Sequence, residues 1–288
     1  MRWASLGAVA LFACSAPTGP SNNNGDDDDN PSGADAGGMT GTDAGTAADA
    51  PGSAAGLDAP APPKIVVLRG VDRAGAFSQT EAKTLATSDG VQWTGVYIGG
   101  PCNAGTGWTK SVVSGLATNQ SWTFMPIYVG QQSSSICGAD TLTATQGTTD
   151  GKAAAADMAT FGWAANQNIP VCLDLEAGTY SFSASESLAY AKAWRDAVRA
   201  AGYLAYVYSN PDGINGLETG GATFDGAWPA SWFYTSFENV SPSDLNQLTS
   251  YTGTTRAWQY ASFTSSVGGI DADTSDLLLA PAPGGTNL

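Results

Sequence analysis

Two acidic residues placed two positions apart follow an apolar segment near the middle of the chain. Asp174 and Glu176 come directly after Ile169–Leu173 and flank a single leucine. Because alternate side chains of a strand point the same way, both carboxylates lie on one face. Neighbouring carboxylates acquire separated pKa values and can divide the roles of acid and base. The spacing predicts a pair suited to proton transfer, and the alternative is a solvated strand end.

Two further acids end predicted strands. Asp72 follows the apolar run Ile65–Val71, and Asp271 ends the last strand candidate, with Asp273 two residues beyond. The chain contains no histidine, which excludes Ser-His-Asp and Cys-His catalysis and histidine-liganded zinc. Carboxylates are therefore the credible acid–base groups, and we predict Asp72, Asp174, Glu176 and Asp271 as catalytic. No cluster of metal ligands and no nucleotide-binding glycine pattern is present, so we expect neither metal nor cofactor.

Aromatic side chains fall at the same strand ends. Aromatic faces stack on the C–H faces of sugars, and tyrosine hydroxyls can hydrogen-bond to them. The pattern predicts a carbohydrate cleft, and the alternative is that these rings fill the core. The candidate substrate-binding residues are Tyr97, Tyr128, Tyr208, Trp258 and Tyr260.

The elements that would position these residues alternate between strands and helices from Lys64 onward. Continuous apolar runs such as Ile65–Val71 and Ile169–Leu175 are typical of buried parallel strands. Seven or eight strand candidates in roughly 220 residues favour a closed, TIM-like (β/α)8 barrel over an open sheet. The pattern weakens after Tyr208, so we expect an irregular second half. The predicted barrel domain covers residues 64–282 and precedes a tail, 283–288.

Charge is distributed unevenly along the 288 residues. The net charge of −15 argues against a nucleic-acid partner. Residues 15–63 contain eight aspartates and no lysine or arginine, among Gly, Ala, Ser, Thr, Asn and Pro. Such a segment cannot bury enough apolar surface to offset its ordering entropy. The composition predicts an acidic tether over residues 14–63.

The first residues have the pattern of an export signal. Met1 and Arg2 precede the apolar run Trp3–Ala13, which is too short to span a bilayer. The sequence from Leu11 to Cys14 resembles the bacterial lipobox, whose cysteine is lipidated after cleavage. We predict a signal peptide over residues 1–13 and lipidation of Cys14; the alternative is an ordinary cleaved signal. The protein would be anchored in the cell envelope through its lipid alone, at the outer membrane or cell surface rather than the cytoplasmic membrane.

Three cysteines remain after Cys14. Cys102 and Cys137 lie in turn-rich segments of a chain predicted to be exported, where disulfides persist. They are therefore the predicted disulfide pair. Cys172 lies inside an apolar run and is predicted to be a buried free thiol, since no base is available to make it a nucleophile.

Five motifs in order resemble a known family. The chain resembles glycoside-hydrolase-like barrels related to the muramidases of glycoside hydrolase family 25, and more closely a bacterial cell-envelope branch catalogued as a domain of unknown function. The resemblance covers roughly residues 64–280. The motifs are Gly70–Asp72, Tyr128–Gln132, Leu173–Glu176, Gly202–Tyr208, and Trp258–Tyr260 followed by Gly269–Asp273.

The resemblance implies roles for the acids. Glu176 would be the general acid/base and Asp174 would stabilise positive charge, while Asp72 and Asp271 would orient the substrate. Family muramidases cleave peptidoglycan between N-acetylmuramic acid and N-acetylglucosamine, with attack by the substrate's own N-acetyl group. The implied function is a monomeric glycoside hydrolase with a glycan partner. A non-catalytic carbohydrate-binding or scaffold module, and a purely structural surface protein, are the alternatives.

Overall fold

The computed structural model describes residues 67–103, 105–132, 141–176, 185–253, 256–276 and 278–285. The predicted signal peptide, the predicted lipidation site Cys14 and the predicted acidic tether lie outside these ranges. Cys137 also lies outside them, so its disulfide with Cys102 stays a prediction. Cys172 is a buried free thiol, as predicted.

Eight strands of the described residues close into a barrel in chain order. Neighbouring strands from the first to the seventh pair in parallel. This confirms the predicted TIM-like barrel. The strands are β1 (Leu68–Asp72), β2 (Trp93–Gly99), β3 (Thr123–Val129), β4 (Pro170–Asp174), β5 (Leu204–Ser209), β6 (Gly226–Tyr234), β7 (Ala257–Ser265) and β8 (Gly268–Ser275).

The last strand runs against the others, which corrects the expectation of one more parallel strand. β8 is antiparallel to both β7 and β1. Only two residues separate β7 from β8, and a parallel crossover needs a dozen or more. Gly268 begins β8 with φ of +100°, a conformation that favours glycine. Asp271 consequently lies within β8, opposite Asp72, and not at the strand's end.

Helices cover the outer face of the first part of the barrel. Capping boxes at Ser78 and Thr143 satisfy the free N–H groups at the starts of the first and third helices. A π-helical turn, Leu85–Asp89, continues the first helix. The α-helices of the described residues are α1 (Gln79–Thr84), α2 (Lys110–Gln120), α3 (Ala144–Phe161), α4 (Ser185–Ala200) and α5 (Pro211–Thr219).

An irregular segment between β6 and β7, residues 235–253, takes the place of a helix, in line with the expected irregular second half. Its one regular element among the described residues is a short 3-10 turn, Pro242–Asp244. Thr274 of β8 donates a hydrogen bond to Val240 O, and Tyr260 of β7 donates one to Glu238 O. These bonds, together with buried Leu245, attach the segment to the outside of the last two strands.

Two apolar layers result from the alternation of side chains along each strand. The inner layer fills the barrel and includes Trp93, Ile127 and Trp228. The outer layer lies between strands and helices and includes Phe124 and Trp194. The side of each strand on which a residue falls therefore decides whether it reaches the barrel's interior. None of the helices in the described ranges combines the length and apolarity needed to cross a membrane.

Candidate functional site

Five acidic residues converge at the end of the barrel where the parallel strands finish. Asp72 ends β1, Asp174 ends β4, and Glu176 follows two residues later. Asp271 and Asp273 reach the same region from β8, because that strand runs in the opposite direction. Each of the five interacts with at least one other, by charge or by a side-chain hydrogen bond. The structure thus brings the four predicted catalytic acids together and adds Asp273.

Asp72 lies at the centre of a hydrogen-bond network and is 2% exposed. The Tyr97 hydroxyl donates to its Oδ1 (3.0 Å), and Gln259 Nε2 donates to its Oδ2 (2.7 Å). Burial, and then the charge of Asp271, raise the pKa of Asp72 to about 8, although both donors oppose the rise. A charge at this position is therefore stabilised by donors but opposed by burial and by its acidic neighbours.

Gly95 of β2 provides the space for Asp72. A Cβ atom at position 95 would lie 2.8 Å from Asp72 Cβ and 2.7 Å from Ile127 Cδ1. Real Cβ atoms do not approach other carbons this closely, so any larger residue would move Asp72 or Ile127.

Gln259 connects Asp72 to the aromatic rim of the site. Its Oε1 accepts hydrogen bonds from the Tyr208 hydroxyl (2.9 Å) and from Trp232 Nε1 (2.8 Å). Gln259 lies in the motif Trp258–Tyr260, but neither Gln259 nor Trp232 was predicted as a site residue. The sequence feature that could have indicated Gln259 is a single polar residue between two aromatic residues of β7.

The Asp174–Glu176 segment is held by Gln132. Gln132 Nε2 donates to Asp174 O (3.0 Å), and the Glu176 backbone N–H donates to Gln132 Oε1 (2.9 Å). Burial and then the neighbouring Glu176 raise the pKa of Asp174 well above its usual range. Burial and then Asp271 raise the pKa of Glu176. Glu176 is half-buried while Asp174 is buried, so Glu176 is the more accessible acid.

A second polar cluster fixes the loop that carries Gln132. Tyr190 of α4 donates to Asp150 Oδ2 (2.8 Å), and Gln131 Nε2 donates to the same oxygen (3.1 Å). The Gln131 backbone N–H in turn donates to the Tyr190 hydroxyl (3.3 Å). These bonds hold the end of β3 against α3 and α4, and so position Gln132.

Two of the predicted substrate-binding aromatics join the acids. Tyr97 contacts Asp72, and Tyr208 contacts Gln259 and packs edge-on against Trp228, with ring centroids 5.3 Å apart. Burial and the surrounding acids raise the pKa of both hydroxyls well above 10, so they remain hydrogen-bond donors.

The other three aromatics occupy the outer layer. The Tyr128 ring packs against Trp194 of α4, with centroids 6.3 Å apart. Trp258 donates from Nε1 to Ser231 O, and the Tyr260 hydroxyl donates to Glu238 O. Their strand positions alternate with those that face the barrel's interior. The rings of Tyr128, Trp258 and Tyr260 therefore lie buried in the outer core and do not join the acids, as in the alternative that they fill the core.

The described part of the chain contains no group of three or more Cys, Asp or Glu residues arranged to hold a metal ion. The acids of the site act on one another, and the ion pairs of the described ranges are formed elsewhere, by Arg73, Arg195 and Arg199.

Most of the described domain matches a known protein family. Residues 83–277, more than half of the chain, match the family model of the Rv2525c-like, glycoside hydrolase-like domain. The chain belongs to this family, which confirms the resemblance seen in its motifs. None of the curated proteins matches the sequence.

Solved structures that are similar to the chain come from several bacteria. An uncharacterized protein from B. stearothermophilus has a TM-score of 0.53 and 16% identity, covering 72% of this chain and 94% of that one. The modular autolysin LytC from Streptococcus pneumoniae has a TM-score of 0.48 and 15% identity, covering 73% and 46%. The spore cortex lytic enzyme SleM from Clostridium perfringens has a TM-score of 0.48 and 11% identity, covering 75% and 69%. The likeness to the B. stearothermophilus protein, at 16% identity, shows the fold alone.

Proposed function

We propose that the domain is a glycoside hydrolase that acts on a β-linked, N-acetylated glycan such as peptidoglycan, with Glu176 as its general acid. The observation that carries the proposal is the position of Glu176, which is half-buried beside three buried carboxyl groups, those of Asp72, Asp174 and Asp273. Burial and Asp271 raise the pKa of Glu176, so it stays protonated at higher pH than an ordinary glutamate. Membership of a glycoside-hydrolase-like family supports the same reading.

In the proposed reaction, the Glu176 proton is transferred to the glycosidic oxygen as the bond from that oxygen to the anomeric carbon breaks. The oxygen of the substrate's N-acetyl group attacks the anomeric carbon and forms a cyclic intermediate. Glu176 then takes a proton from the water molecule that opens this ring, which restores the acid. Asp174, two residues from Glu176, stabilises the positive charge that develops on the substrate. That positive charge in turn favours the ionised form of Asp174.

The rim offers a surface on which a sugar can stack. Trp232 is 37% exposed, and its indole N–H is fixed by the bond to Gln259 Oε1. An aromatic face held in this way loses little conformational freedom when a sugar packs on it. Tyr97 and Tyr208 add hydroxyl groups on the inner side of the same region.

The test is release of new reducing ends when the full chain is incubated with peptidoglycan or with chitooligosaccharides. Glu176→Gln removes the acid and keeps the side chain's size, and should lower the rate by about 10²–10⁴-fold. Glu186→Gln, an exposed residue of α4, is the matched control and should leave the rate unchanged. Equal release by wild type and Glu176→Gln between about pH 4 and pH 8 would overturn the enzyme proposal. Glycan binding that survives without turnover would favour the binding module.

Export and lipid anchoring complete the proposal, and the sequence alone supports them. The apolar run before Cys14 and the aspartate-rich segment after it suit a lipid-anchored domain that extends from the envelope surface. Mass spectrometry of the mature N-terminus tests this: we expect a diacylated or triacylated Cys14. An unmodified N-terminal residue other than Cys14 would contradict it.

A further inference from the structure

Asp273 is the most deeply buried of the five acids and has an oxygen with no donor. It lies on β8 opposite Gln259 of β7 and is 0% exposed. Its Oδ1 accepts a hydrogen bond from Trp228 Nε1 (3.0 Å). Its Oδ2 is also buried and accepts no hydrogen bond from the described residues. A buried carboxylate oxygen without a donor is costly if the group is charged, and much less so if that oxygen carries a proton.

The carboxyl group of Asp72 lies within hydrogen-bonding reach of Asp273. Two carboxyl groups this close cannot both be ionised at moderate cost, so at least one of them holds a proton, and the question is which one keeps it when the other ionises. Asp72 accepts from Tyr97 and Gln259, one donor on each oxygen. Among the described residues, Asp273 accepts from Trp228 alone. Donors favour the charged form, and the unequal number of donors therefore assigns the proton to Asp273.

The charged and titratable groups around the pair do not reverse this assignment. Asp271, Asp174 and Glu176 add negative charge, and burial followed by Asp72 and Asp271 raises the pKa of Asp273 well above its usual range. Arg69 lines a cavity of about 350 Å³ together with Asp273, but its guanidinium donates to Asp89 O, Glu238 O and Asn239 Oδ1. The remaining titratable groups that interact with the pair or its acidic neighbours are neutral in their ordinary state: Tyr97, Cys172, Tyr208 and Tyr260.

We propose that Asp273 is a positioning residue that remains a neutral acid and donates a hydrogen bond from Oδ2 to the carboxylate of Asp72. Asp273 is then the third donor to Asp72, after Tyr97 and Gln259. It holds the Asp72 carboxyl group in place from deeper inside the barrel. Once Asp72 is ionised, the pair carries one negative charge where two carboxylates would carry two. Its importance for turnover rests on the proposed function, but its protonation state does not.

The first test compares Asp273→Asn with wild type by urea unfolding of the full chain at several pH values. Asparagine has the shape of the neutral acid, can donate to Asp72 and can accept from Trp228. The unfolded chain releases the Asp273 proton above about pH 4, whereas the folded chain keeps it. The wild type therefore loses stability relative to Asp273→Asn as the pH rises. We expect its unfolding constant to rise about tenfold per pH unit, relative to the variant, between about pH 5 and pH 7.

The second test keeps the wild-type side chain. The carboxyl ¹³C resonance of Asp273, assigned by its absence in Asp273→Asn, should stay at the protonated position between about pH 5 and pH 7. Asp273→Ala should unfold more readily than Asp273→Asn at every pH, since it removes both the donor to Asp72 and the acceptor for Trp228.

Two results would overturn the proposal. One is a ¹³C titration of Asp273 near the ordinary aspartate value of about 4. The other is a ratio of unfolding constants that does not change with pH above about 5, which would mean that the folded state holds no extra proton. Neither readout needs catalysis, so a failure here is distinguishable from a failure of the proposed hydrolase activity.

Discussion

Gln259 turns its side-chain amide so that Nε2 faces Asp72, to which it donates at 2.7 Å. The orientation is imposed from the other side, because Oε1 already accepts from Tyr208 and Trp232. A single neutral side chain thus connects the buried acid to the exposed rim, and it does so without adding charge to an acidic site.

The first prediction follows from this orientation. Gln259→Glu keeps the shape but replaces the donor to Asp72 by an oxygen, which places another carboxyl group against it. We expect the free energy of unfolding to fall by roughly 3 kcal/mol at pH 7, since a buried charge is left without a partner. Burial raises the folded-state pKa of the new acid, so this loss should shrink towards pH 4. Gln92→Glu, at an exposed position, is the control, and urea unfolding at both pH values is the measurement.

The second prediction concerns the space above Gly95. Gly95→Ala places a methyl group 2.8 Å from Asp72 Cβ, so the strands must shift, at a cost of roughly 1–3 kcal/mol in the free energy of unfolding. Gly75→Ala is the matched control, because a Cβ there meets no atom within 4 Å. Thermal unfolding of both variants is the measurement. Equal melting temperatures would contradict the close approach between position 95 and Asp72.

The third prediction separates two neighbouring exposed aromatics. Trp232→Ala should weaken glycan binding by roughly tenfold, the worth of one aromatic stacking contact. Phe233→Ala, which removes a ring that is 56% exposed and packs on Trp258, should leave binding unchanged. Titration of chitooligosaccharides followed by tryptophan fluorescence or calorimetry measures both. If the two variants bind alike, Trp232 is not the stacking surface.

The sequence was sufficient to locate Asp72, Asp174 and Glu176 because they lie at or just beyond the end of a buried strand. In Ile169–Leu173, five apolar residues precede Asp174, so both the strand and the position of the charge at its end could be predicted. The same reasoning worked for Asp72. It failed for the direction of β8, because the prediction considered repeated strand–helix units and did not weigh the short Ser265–Gly268 connection as a hairpin.

The aromatic assignments show a different limit. The sequence does not show which of residues 258, 259 and 260 faces the barrel's interior. Only one side of the strand does so, and a shift of one position exchanges the two faces. Gln259 occupies the inner side, so Trp258 and Tyr260 are directed outward. The choice of face depends on the closure of the barrel and on an irregular pairing at this point in β7, and local sequence does not encode either feature directly.

The last prediction tests how the site sets the working pH. Glu176 acts as an acid only while it is protonated, so kcat/KM should fall as the pH rises through its pKa, which lies above the ordinary glutamate value of 4.5. The charge of Asp271 contributes to this rise. Asp271→Asn removes that charge, makes the Glu176 proton easier to lose, and should move the alkaline limb of the pH–rate profile down by roughly half to one pH unit. Asp212→Asn, at an exposed position on α5, should leave the limb where it is. A limb that stays fixed in Asp271→Asn, while Glu176→Gln abolishes turnover, would show that burial alone raises the pKa of the acid.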